Sequence, residues 1–402
     1  MPFWGECEVA KCCIAKGHDH CGQCQEFPCA ILNAYAYQPE RGDNGKRLLN
    51  LKAWNEMGYA MSRYKHAMPS HGDHTAITEY LDHVLPMLMQ EAHLPGVSVA
   101  AVHDGRIVWA KGYGLVNAAT QTPIVTDTIF EAASLSKPLF AYAVLQLCQR
   151  GCLDLDRPLI EYAPERAVPD DLRSEHITAR MVLSHNSGLV HWLWNPGEKI
   201  RLLFKPGERF SYSSLGLRYL QEVVEHVTGE PLEPLMQRTL HSLRMERSSY
   251  IWQEEYERIA AVGHDDQGRP TEKQKPAQAQ SYVSLHTTPV EYACLLIEMM
   301  SAREDGPRPS AWDMLIPQVS CGEGVWWGLG WGLEQQNAGK AFWHWGDTGV
   351  FKAFVMGAPE RKKGVVVMAN GMGGLSVCEH VVQAWMPGEH PAFAWITDFY
   401  RE

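Results

Sequence analysis

The run Ser134-Leu135-Ser136-Lys137 decides how this chain is interpreted, because it sets a hydroxyl and an amine three positions apart at the start of a predicted helix. Residues i and i+3 lie on one face of a helix, so the Lys137 amine can reach the Ser134 hydroxyl. A serine hydroxyl becomes a good nucleophile when a neighbouring base takes its proton, and a lysine held uncharged by burial can be that base. The run therefore predicts Ser134 as a nucleophile and Lys137 as its base, although Ser-x-x-Lys alone often occurs by chance.

Two later motifs support the interpretation of Ser134 and Lys137 as nucleophile and base. Tyr212-Ser213-Ser214 follows about 80 residues later, and His344-Trp345-Gly346 lies on a predicted strand about 130 residues further on. The order of the three motifs is similar to that of class C β-lactamases, D,D-peptidases and their esterase relatives. The resemblance covers roughly residues 75–400 and points to the serine β-lactamase-like and penicillin-binding-protein family.

The resemblance implies a role for each motif. Ser134 would attack a carbonyl carbon, Lys137 would accept its proton, and Tyr212 would act as a second base or acid that passes a proton to the leaving group. The backbone N–H groups of Ser134 and Asp347 would form the oxyanion hole, whose donors stabilise the charge of the tetrahedral intermediate. The implied mechanism is acyl transfer through a covalent Ser134 ester, and it needs no cofactor.

The third motif carries the expectations about substrate binding. His344 replaces the family's lysine, and would either bind a substrate carboxylate when protonated or hydrogen-bond Tyr212. Gly346 would let the substrate approach the strand closely, and Trp345 is the best candidate for a pocket wall. Ser214 stands where the family usually has asparagine, which offers an amide to the substrate and to the lysine. These two departures favour an esterase or D-aminopeptidase over a β-lactamase.

Hydrophobic patterns predict strands at both ends of the region from residue 75 onward. Residues 97–102 and 107–109 flank Asp104-Gly105, a type I′ turn signal, and predict a hairpin. Residues 351–356 and 365–369 predict two late strands, with helical and loop-like sequence between the two pairs. We expect an α+β fold of the β-lactamase/transpeptidase type, in which the terminal strands pair into one antiparallel sheet flanked by helices.

Three segments are expected along the chain. Residues 1–60 form a Cys-rich metal-binding module, residues 61–74 a linker, and residues 75–402 the β-lactamase-like domain. Within that domain we expect a sheet lobe from about 75–145 and 335–402, and a helical lobe from about 146–334.

The N-terminal module is predicted from its cysteines, since six of the eleven lie in the first 29 residues. Tetrahedral Zn²⁺ takes four thiolate or imidazole ligands, often from closely spaced cysteine pairs. We expect a structural Zn²⁺ held by four of five thiols: Cys7, Cys12, Cys21, Cys24 and Cys29. The run from Cys21 to Cys29 also resembles a small Cys-rich, presumed zinc-binding family of unknown function from prokaryotes.

Other uses of these cysteines stay open. His18 or His20 can substitute for one thiol, and Cys13 is expected to be the spare. An iron–sulfur cluster and a redox dithiol at Cys21 and Cys24 are the competing interpretations.

Charge and hydropathy limit the partners and the location. The net charge of −11 argues against a general nucleic-acid binder. The sequence shows no signal peptide and no apolar run near the ~18 residues of a membrane span. Eleven cysteines without an export signal favour a reducing compartment, so we expect a cytoplasmic protein that does not bind membranes.

The leading functional hypothesis is a serine hydrolase that acts through an acyl-enzyme on a small ester or amide. A β-lactamase or an acyltransferase of the same family is the alternative. A hypothesis of another class is a non-catalytic binding, sensor or assembly protein that keeps the fold, with the zinc module recruiting a protein partner.

Overall fold

The computed structural model describes residues 12, 15–16, 24–37, 74–193, 195–306, 308–336 and 339–401. The chain divides into two units, residues 1–82 and residues 83–402. In the first unit, helix α1 covers Ala30–Ala36, and Lys16 forms an exposed ion pair with Glu26 at 3.0 Å. Helix α2 covers His74–Glu91.

The second unit is built on a nine-stranded antiparallel sheet in the order β3-β2-β1-β11-β10-β9-β8-β7-β6. The strands are β1 Gly96–His103, β2 Arg106–Asn117, β3 Thr122–Pro123, β6 Val319–Gly322, β7 Val325–Trp327, β8 Gly332–Gln336, β9 Gly339–Asp347, β10 Lys352–Ala358 and β11 Lys363–Ala369. A separate two-stranded sheet pairs β4 Phe130–Ala133 with β5 Leu285–Thr287.

The centre of the large sheet joins the two ends of the domain, as the strand pattern predicts. Strand β1 pairs with β11 from Val97 opposite Ala369 to His103 opposite Lys363. The hairpin of β1 and β2 turns at Asp104-Gly105, where both residues have positive φ, as a type I′ turn requires. The predicted α+β fold with one antiparallel sheet is confirmed.

Helices surround this sheet and fill the middle of the domain. They are α3 Ser136–Gln149, α4 Ala179–Leu183, α5 Ser214–Thr228, α6 Leu232–Ser242, α7 Tyr256–Ile259, α8 Pro289–Met300, α9 Ala311–Met314, α10 Gly374–Trp385 and α11 Pro391–Phe399, with 3₁₀ turns at Leu159–Glu161, Leu172–His176 and Pro359–Arg361. Helices α8 and α10 both contact β10 and β11, and every residue of those two strands is buried. Both faces of the central strands are therefore covered.

The sheet begins earlier in the chain than the predicted lobe boundary. Strands β6, β7 and β8 pair in sequence with one another and then with β9. They lie at residues 319–336, in the segment that we expected to be helical up to about residue 334. Each has only three to five residues, Gly322 ends β6 and Gly324 lies before β7, so no strand period is visible in the sequence.

Candidate active site

Ser134 lies in the turn between β4 and α3, at the junction of the small sheet and the first helix of the helical region. Helix α3 begins at Ser136, two residues later than the nucleophile itself. The residue before Ser134, Ala133, has a φ of +50°, a left-handed conformation that costs a non-glycine residue of order 1 kcal/mol or more. Ser134 is half-buried, whereas the residues on either side of it are buried.

Buried hydrogen bonds hold this turn in place. The Ser136 hydroxyl donates to the Ala133 carbonyl at 2.6 Å and accepts from the Leu285 N–H at 3.0 Å. The hydroxyls of Tyr250 and Tyr292 each donate to a main-chain carbonyl of the turn at 2.8 Å. Because the Ser136, Tyr250 and Tyr292 side chains are fully buried, the surrounding structure can maintain the unfavourable φ of Ala133.

The Lys137 amine lies against the Ser134 hydroxyl, with 2.8 Å between Nζ and Oγ. Its second partner is the main-chain carbonyl of Tyr282, at 2.7 Å. The Lys137 side chain is 1% exposed, and burial lowers its pKa well below the usual lysine value. The amine is therefore held in an environment that favours its uncharged form.

Tyr212 is the third member of this group. It comes just before α5, whose N-cap is Ser213, and its ring centroid lies 5.0 Å from the Lys137 amine. Burial raises the pKa of Tyr212, and the nearby Ser134 hydroxyl lowers it by a smaller amount. Within the described ranges the phenol forms no well-aligned hydrogen bond, so the proximity of Ser134 is an approach and not a formed bond.

Two histidines pack around Tyr212. His185 accepts the Ser213 N–H at 3.1 Å through Nδ1, and its ring centroid lies 4.3 Å from that of Tyr212. His191 accepts the Ser214 N–H at 3.3 Å through Nδ1. Burial, with a smaller contribution from Lys137, lowers the pKa of His185 well below its usual value and the pKa of His191 to about 4. Both rings are therefore neutral at pH 7.

Sequence reasoning assigned no role to these two histidines or to Tyr282. The run Leu183-Ser184-His185-Asn186-Ser187-Gly188 is the sequence signal for His185. Tyr282 is 145 residues away from Lys137 in the chain, and only the fold brings its carbonyl to the amine.

Ser214 occupies the first position of α5 and is 5% exposed. Its backbone N–H is the group that donates to His191. Among the described residues, the hydrogen-bond partners of Lys137 are Ser134 and Tyr282, and the Ser214 hydroxyl is not one of them. The short side chain thus leaves out the contact with the lysine that an asparagine amide was expected to supply.

His344 fills neither of its two predicted roles. It is fully buried, and burial with the nearby Lys137 lowers its pKa to about 3, so it is not a cation at neutral pH. Its Nδ1 lies 2.7 Å from the Trp345 carbonyl, which assigns the ring proton to Nδ1. Its Nε2 has no hydrogen-bond partner among the described residues, Tyr212 included. The sequence could not show that this strand position points into packed aromatic rings.

Gly346 is required by the approach of strand β9 to the nucleophile turn. A Cβ at this position would lie 2.4 Å from the Ala132 carbonyl oxygen and 3.2 Å from the Ala133 Cβ. We expected this glycine to make room for substrate, and the structure shows that it makes room for the protein's own backbone. The close approach sets the next residue, Asp347, beside the turn that carries Ser134.

The predicted oxyanion-hole residues are thus brought to the same place. The Ser134 N–H makes no backbone hydrogen bond within the described part of the chain, so it is free for a ligand. Asp347 is fixed by its side chain, whose Oδ1 accepts the Gly349 N–H at 2.6 Å and the Lys352 ammonium at 2.5 Å. Thr348 donates to Glu131 at 3.4 Å and ties the same turn to β4.

Aromatic side chains form one wall beside Tyr212. Trp345, 2% exposed, lies 5.0 Å from the Tyr212 ring centroid and 5.4 Å from that of Phe399. Phe399 in turn lies 5.5 Å from Tyr212 and stacks on Trp395 at 5.6 Å. The wall thus takes its members from β9 and from the C-terminal helix α11.

A cavity of about 800 Å³ has Tyr212 in its lining. Its apolar lining includes Phe204, Phe210, Tyr212, Trp395 and Phe399, and its polar lining includes Arg209, Glu323 and Asp398. Tyr212 and His191 belong both to this cavity and to the group around Ser134.

The predicted metal module lies only partly within the described residues. Cys12, Cys24 and Cys29 are described and are free thiols, whereas Cys7 and Cys21, with Cys13, His18 and His20, lie outside the described residues. Within the described ranges no three His, Cys, Asp or Glu side chains are grouped closely enough to hold a metal ion. The zinc site therefore stays a prediction.

No helix in the described ranges is both long and apolar enough to span a bilayer.

Comparison with known proteins places this geometry in a family. The family described as Beta-lactamase matches residues 81–380, and the family described as Protein of unknown function (DUF3795) matches residues 1–34. Esterase EstB of Burkholderia gladioli is 30% identical over 226 residues, which span 49% of this chain and 57% of the esterase. The match thus covers less than two thirds of that relative.

Solved structures agree on the fold. The octameric penicillin-binding protein homologue from Pyrococcus abyssi aligns with a TM-score of 0.65 at 24% identity, over 77% of this chain and 79% of that chain. A class C beta-lactamase aligns with a TM-score of 0.68 at 19% identity, over 80% of this chain and 99% of that chain. Since the family match from residue 81 to residue 380 spans well over half of the 402 residues, the chain belongs to the Beta-lactamase family.

Proposed function

We propose that the protein hydrolyses small, uncharged esters in two steps through a covalent Ser134 acyl-enzyme. The observation that carries this proposal is the buried Lys137 amine 2.8 Å from the half-buried Ser134 hydroxyl. A half-buried nucleophile beside a fully buried base is the arrangement that acyl transfer needs.

In the first step Ser134 Oγ forms a bond to the carbonyl carbon and gives its proton to the Lys137 amine. Burial favours the free amine before this transfer, and the Tyr282 carbonyl accepts one of its N–H groups and orients it. The negative charge that develops on the carbonyl oxygen is stabilised by the N–H groups of Ser134 and Asp347. The carbon–oxygen bond to the leaving alcohol then breaks, and the alkoxide takes a proton from the site.

Tyr212 is suited to supply that proton. Because burial raises its pKa, the phenol stays protonated at neutral pH and acts as a donor, not as a phenolate base. The proton held by Lys137 then restores the phenol. In the second step water attacks the acyl-enzyme, and the same groups release the acid and free Ser134.

Two features of the site favour an ester over a β-lactam or a peptide with a free carboxylate. His344, at the third-motif position, is neutral, so it offers no charge to a substrate carboxylate. Ser214 replaces an amide that would hold the acyl side chain of such substrates. The relative named as an esterase agrees with this choice, although it matches over only part of its length.

The apolar group of the ester is assigned to the aromatic wall beside Tyr212. Trp345 and Phe399 face Tyr212 from two sides, and the cavity lined by Phe210 and Trp395 continues beyond it. The cavity shares Tyr212 and His191 with the group around Ser134, which is the reason for this assignment.

The experiment compares p-nitrophenyl acetate and butyrate, D-amino-acid p-nitroanilides and nitrocefin, together with labelling by a fluorophosphonate probe. We expect ester turnover and stoichiometric labelling by the wild-type protein, and neither by Ser134→Ala. Ser376→Ala, which changes an exposed serine on α10, is the matched control and should behave as wild type.

Each of the other outcomes would support a different function. Nitrocefin turnover that exceeds ester turnover would support a β-lactamase, and faster product release with added alcohol would support an acyltransferase. Labelling at Ser134 without turnover would indicate a sensor that is acylated and stalls. Absence of labelling would contradict catalysis and favour a binding or assembly role.

For the N-terminal region we propose a structural Zn²⁺ held by four of Cys7, Cys12, Cys21, Cys24 and Cys29. The Lys16 ammonium lies 3.6 Å from the Cys24 sulfur. A metal site would need ligands from outside the described residues beside the three described thiols. One equivalent of zinc per chain, measured by elemental analysis and lost in the Cys24→Ser variant, is the expected result. Such a module, in a reducing cytoplasm, would be available to recruit a protein partner.

A further inference from the structure

The end of the chain reaches the proposed oxyanion hole. Tyr400 follows helix α11, and its hydroxyl donates to Asp347 Oδ2 at 2.6 Å. The same hydroxyl accepts the Trp345 indole N–H at 2.9 Å. Residue 400 lies beyond residue 380, where the family match ends, so this contact is not part of the matched region.

We propose that Tyr400 is a positioning residue for acyl transfer, which holds Asp347 and Trp345 in their working geometry. The inference rests on the proposed function, because it gives Asp347 a part in stabilising the oxyanion. Tyr400 itself touches no reacting atom.

The physical reason lies in the charge of Asp347. A carboxylate close to a developing oxyanion raises the energy of the transition state by like-charge repulsion. Here both carboxylate oxygens are occupied: Oδ1 by Lys352 and the Gly349 N–H, and Oδ2 by Tyr400. These donors disperse the negative charge and turn the side chain toward them. Without Tyr400, Oδ2 loses its partner and the carboxylate can rotate.

Tyr400 can do this because helix α11 is anchored in the protein interior. The Glu334 carboxylate on β8 accepts the Ala392 N–H at 3.0 Å and contacts His390 Nδ1 at 3.1 Å, and the Glu334 and His390 side chains are fully buried. Further along the helix, the Trp395 indole donates to the Cys321 carbonyl at 2.8 Å. Two attachments along nine residues fix where the helix ends, and so where Tyr400 lies.

The proton of Tyr400 stays on its oxygen. Partial burial and the adjacent Asp347 carboxylate both raise the pKa of this phenol above its usual value, so it stays protonated at neutral pH. The hydroxyl is therefore a permanent donor to Asp347 and not a group that switches.

The test is Tyr400→Phe in the full-length protein. The residue is 50% exposed, and phenylalanine keeps the ring contact with Phe399 at 5.5 Å while it removes the hydroxyl. Removal of a direct oxyanion donor typically costs 10²–10³ in kcat, and we expect an indirect loss of about tenfold. KM for p-nitrophenyl butyrate should change less than about twofold, and the melting temperature should be unchanged.

A boronic acid provides the readout that a merely structural role would not change. Phenylboronic acid adds to the serine and forms a tetrahedral anion, so its inhibition constant should rise by about the same factor as kcat/KM falls. Tyr162→Phe is the matched control, because it removes a tyrosine hydroxyl that accepts the Asp154 N–H at 2.8 Å elsewhere in the domain. It should leave both values unchanged.

The outcomes separate this inference from the proposed function. Wild-type activity and boronate affinity in Tyr400→Phe, with Ser134→Ala inactive, overturn the role of Tyr400 and leave the hydrolase intact. A loss of activity matched by a fall in melting temperature, with boronate affinity unchanged, indicates packing and also overturns it. If the wild-type protein neither labels nor turns over, the proposed function fails and the positioning role fails with it.

Discussion

The nucleophile turn and strand β9 lie side by side, and each contributes one buried basic side chain. At the start of α3, directly after the turn, the Lys137 amine has two oxygen partners, one of them the Ser134 hydroxyl. In the strand, His344 donates to the adjacent carbonyl, and its other nitrogen has no partner among the described residues. Burial lowers the pKa of both side chains. Loss of charge therefore has a different consequence in each place: it would allow Lys137 to act as the proposed base, whereas it leaves His344 as a neutral, packed side chain.

The largest loss of activity is expected from Lys137→Met. Methionine keeps much of the volume and removes the base, so kcat/KM for p-nitrophenyl butyrate should fall about 10³-fold. Lys363→Met is the matched control, since Lys363 is also buried with a lowered pKa but contacts Trp385 away from the site. Activity retained in Lys137→Met would refute the role of this amine.

The same variant has a signature in stability. Since the folded pKa of Lys137 lies below its unfolded value, the unfolded chain binds the proton more tightly. The free energy of unfolding of the wild-type protein therefore falls as the pH drops from the pKa of Lys137 in the unfolded chain to its pKa in the folded protein. The Lys137→Met variant does not show this fall. Its melting temperature should exceed that of wild type by more at neutral pH than above pH ~10.5.

A smaller loss of activity is expected from Gly346→Ala, which lies where strand β9 approaches the nucleophile turn. The added Cβ would lie 2.4 Å from the Ala132 carbonyl, so the strand or the turn must shift. A displacement of about 1 Å can cost about 10² in rate, and overpacking costs about 1–3 kcal/mol of unfolding free energy. Gly306→Ala, whose nearest contact would be 3.4 Å, serves as the control in both the kinetic and the denaturation experiment. Equal kinetics for the two variants would show that the close approach has no catalytic importance.

The smallest effect is expected from His344→Asn. A neutral residue that neither binds substrate charge nor hydrogen-bonds Tyr212 is replaceable, so kcat/KM should fall less than about tenfold. The acid limb of the pH–rate profile should keep its midpoint, because the pKa of His344, about 3, lies below the working range. A shifted midpoint, or a fall in kcat/KM of more than 10²-fold, would show that His344 takes part in catalysis.

Local sequence patterns predicted the parts of the site that depend on a few neighbouring residues. The i, i+3 spacing of Ser134 and Lys137 needs only one helical turn to bring amine and hydroxyl together. The Asp104-Gly105 turn likewise needs only the backbone freedom of its own residues. The pairing of the first and last strands followed from the strand pattern at the two ends of the domain.

Other parts could not be predicted, because they depend on contacts between distant segments. The Tyr282 carbonyl, which orients Lys137, is 145 residues away from it in the chain. The Tyr250 hydroxyl, which supports the turn, is 114 residues away from its partner. Strands β6–β8 were missed since segments of three to five residues show too little alternation to be recognised.

The spacing of the motifs identified Ser134 and Lys137 as the candidate nucleophile and base, because the two residues are three positions apart and helix α3 begins between them. The charge and the surroundings of these side chains depend on the tertiary structure. Burial, which no local pattern reports, makes His344 neutral and keeps Tyr212 protonated. The packing of α11, from the far end of the chain, then brings Tyr400 to Asp347.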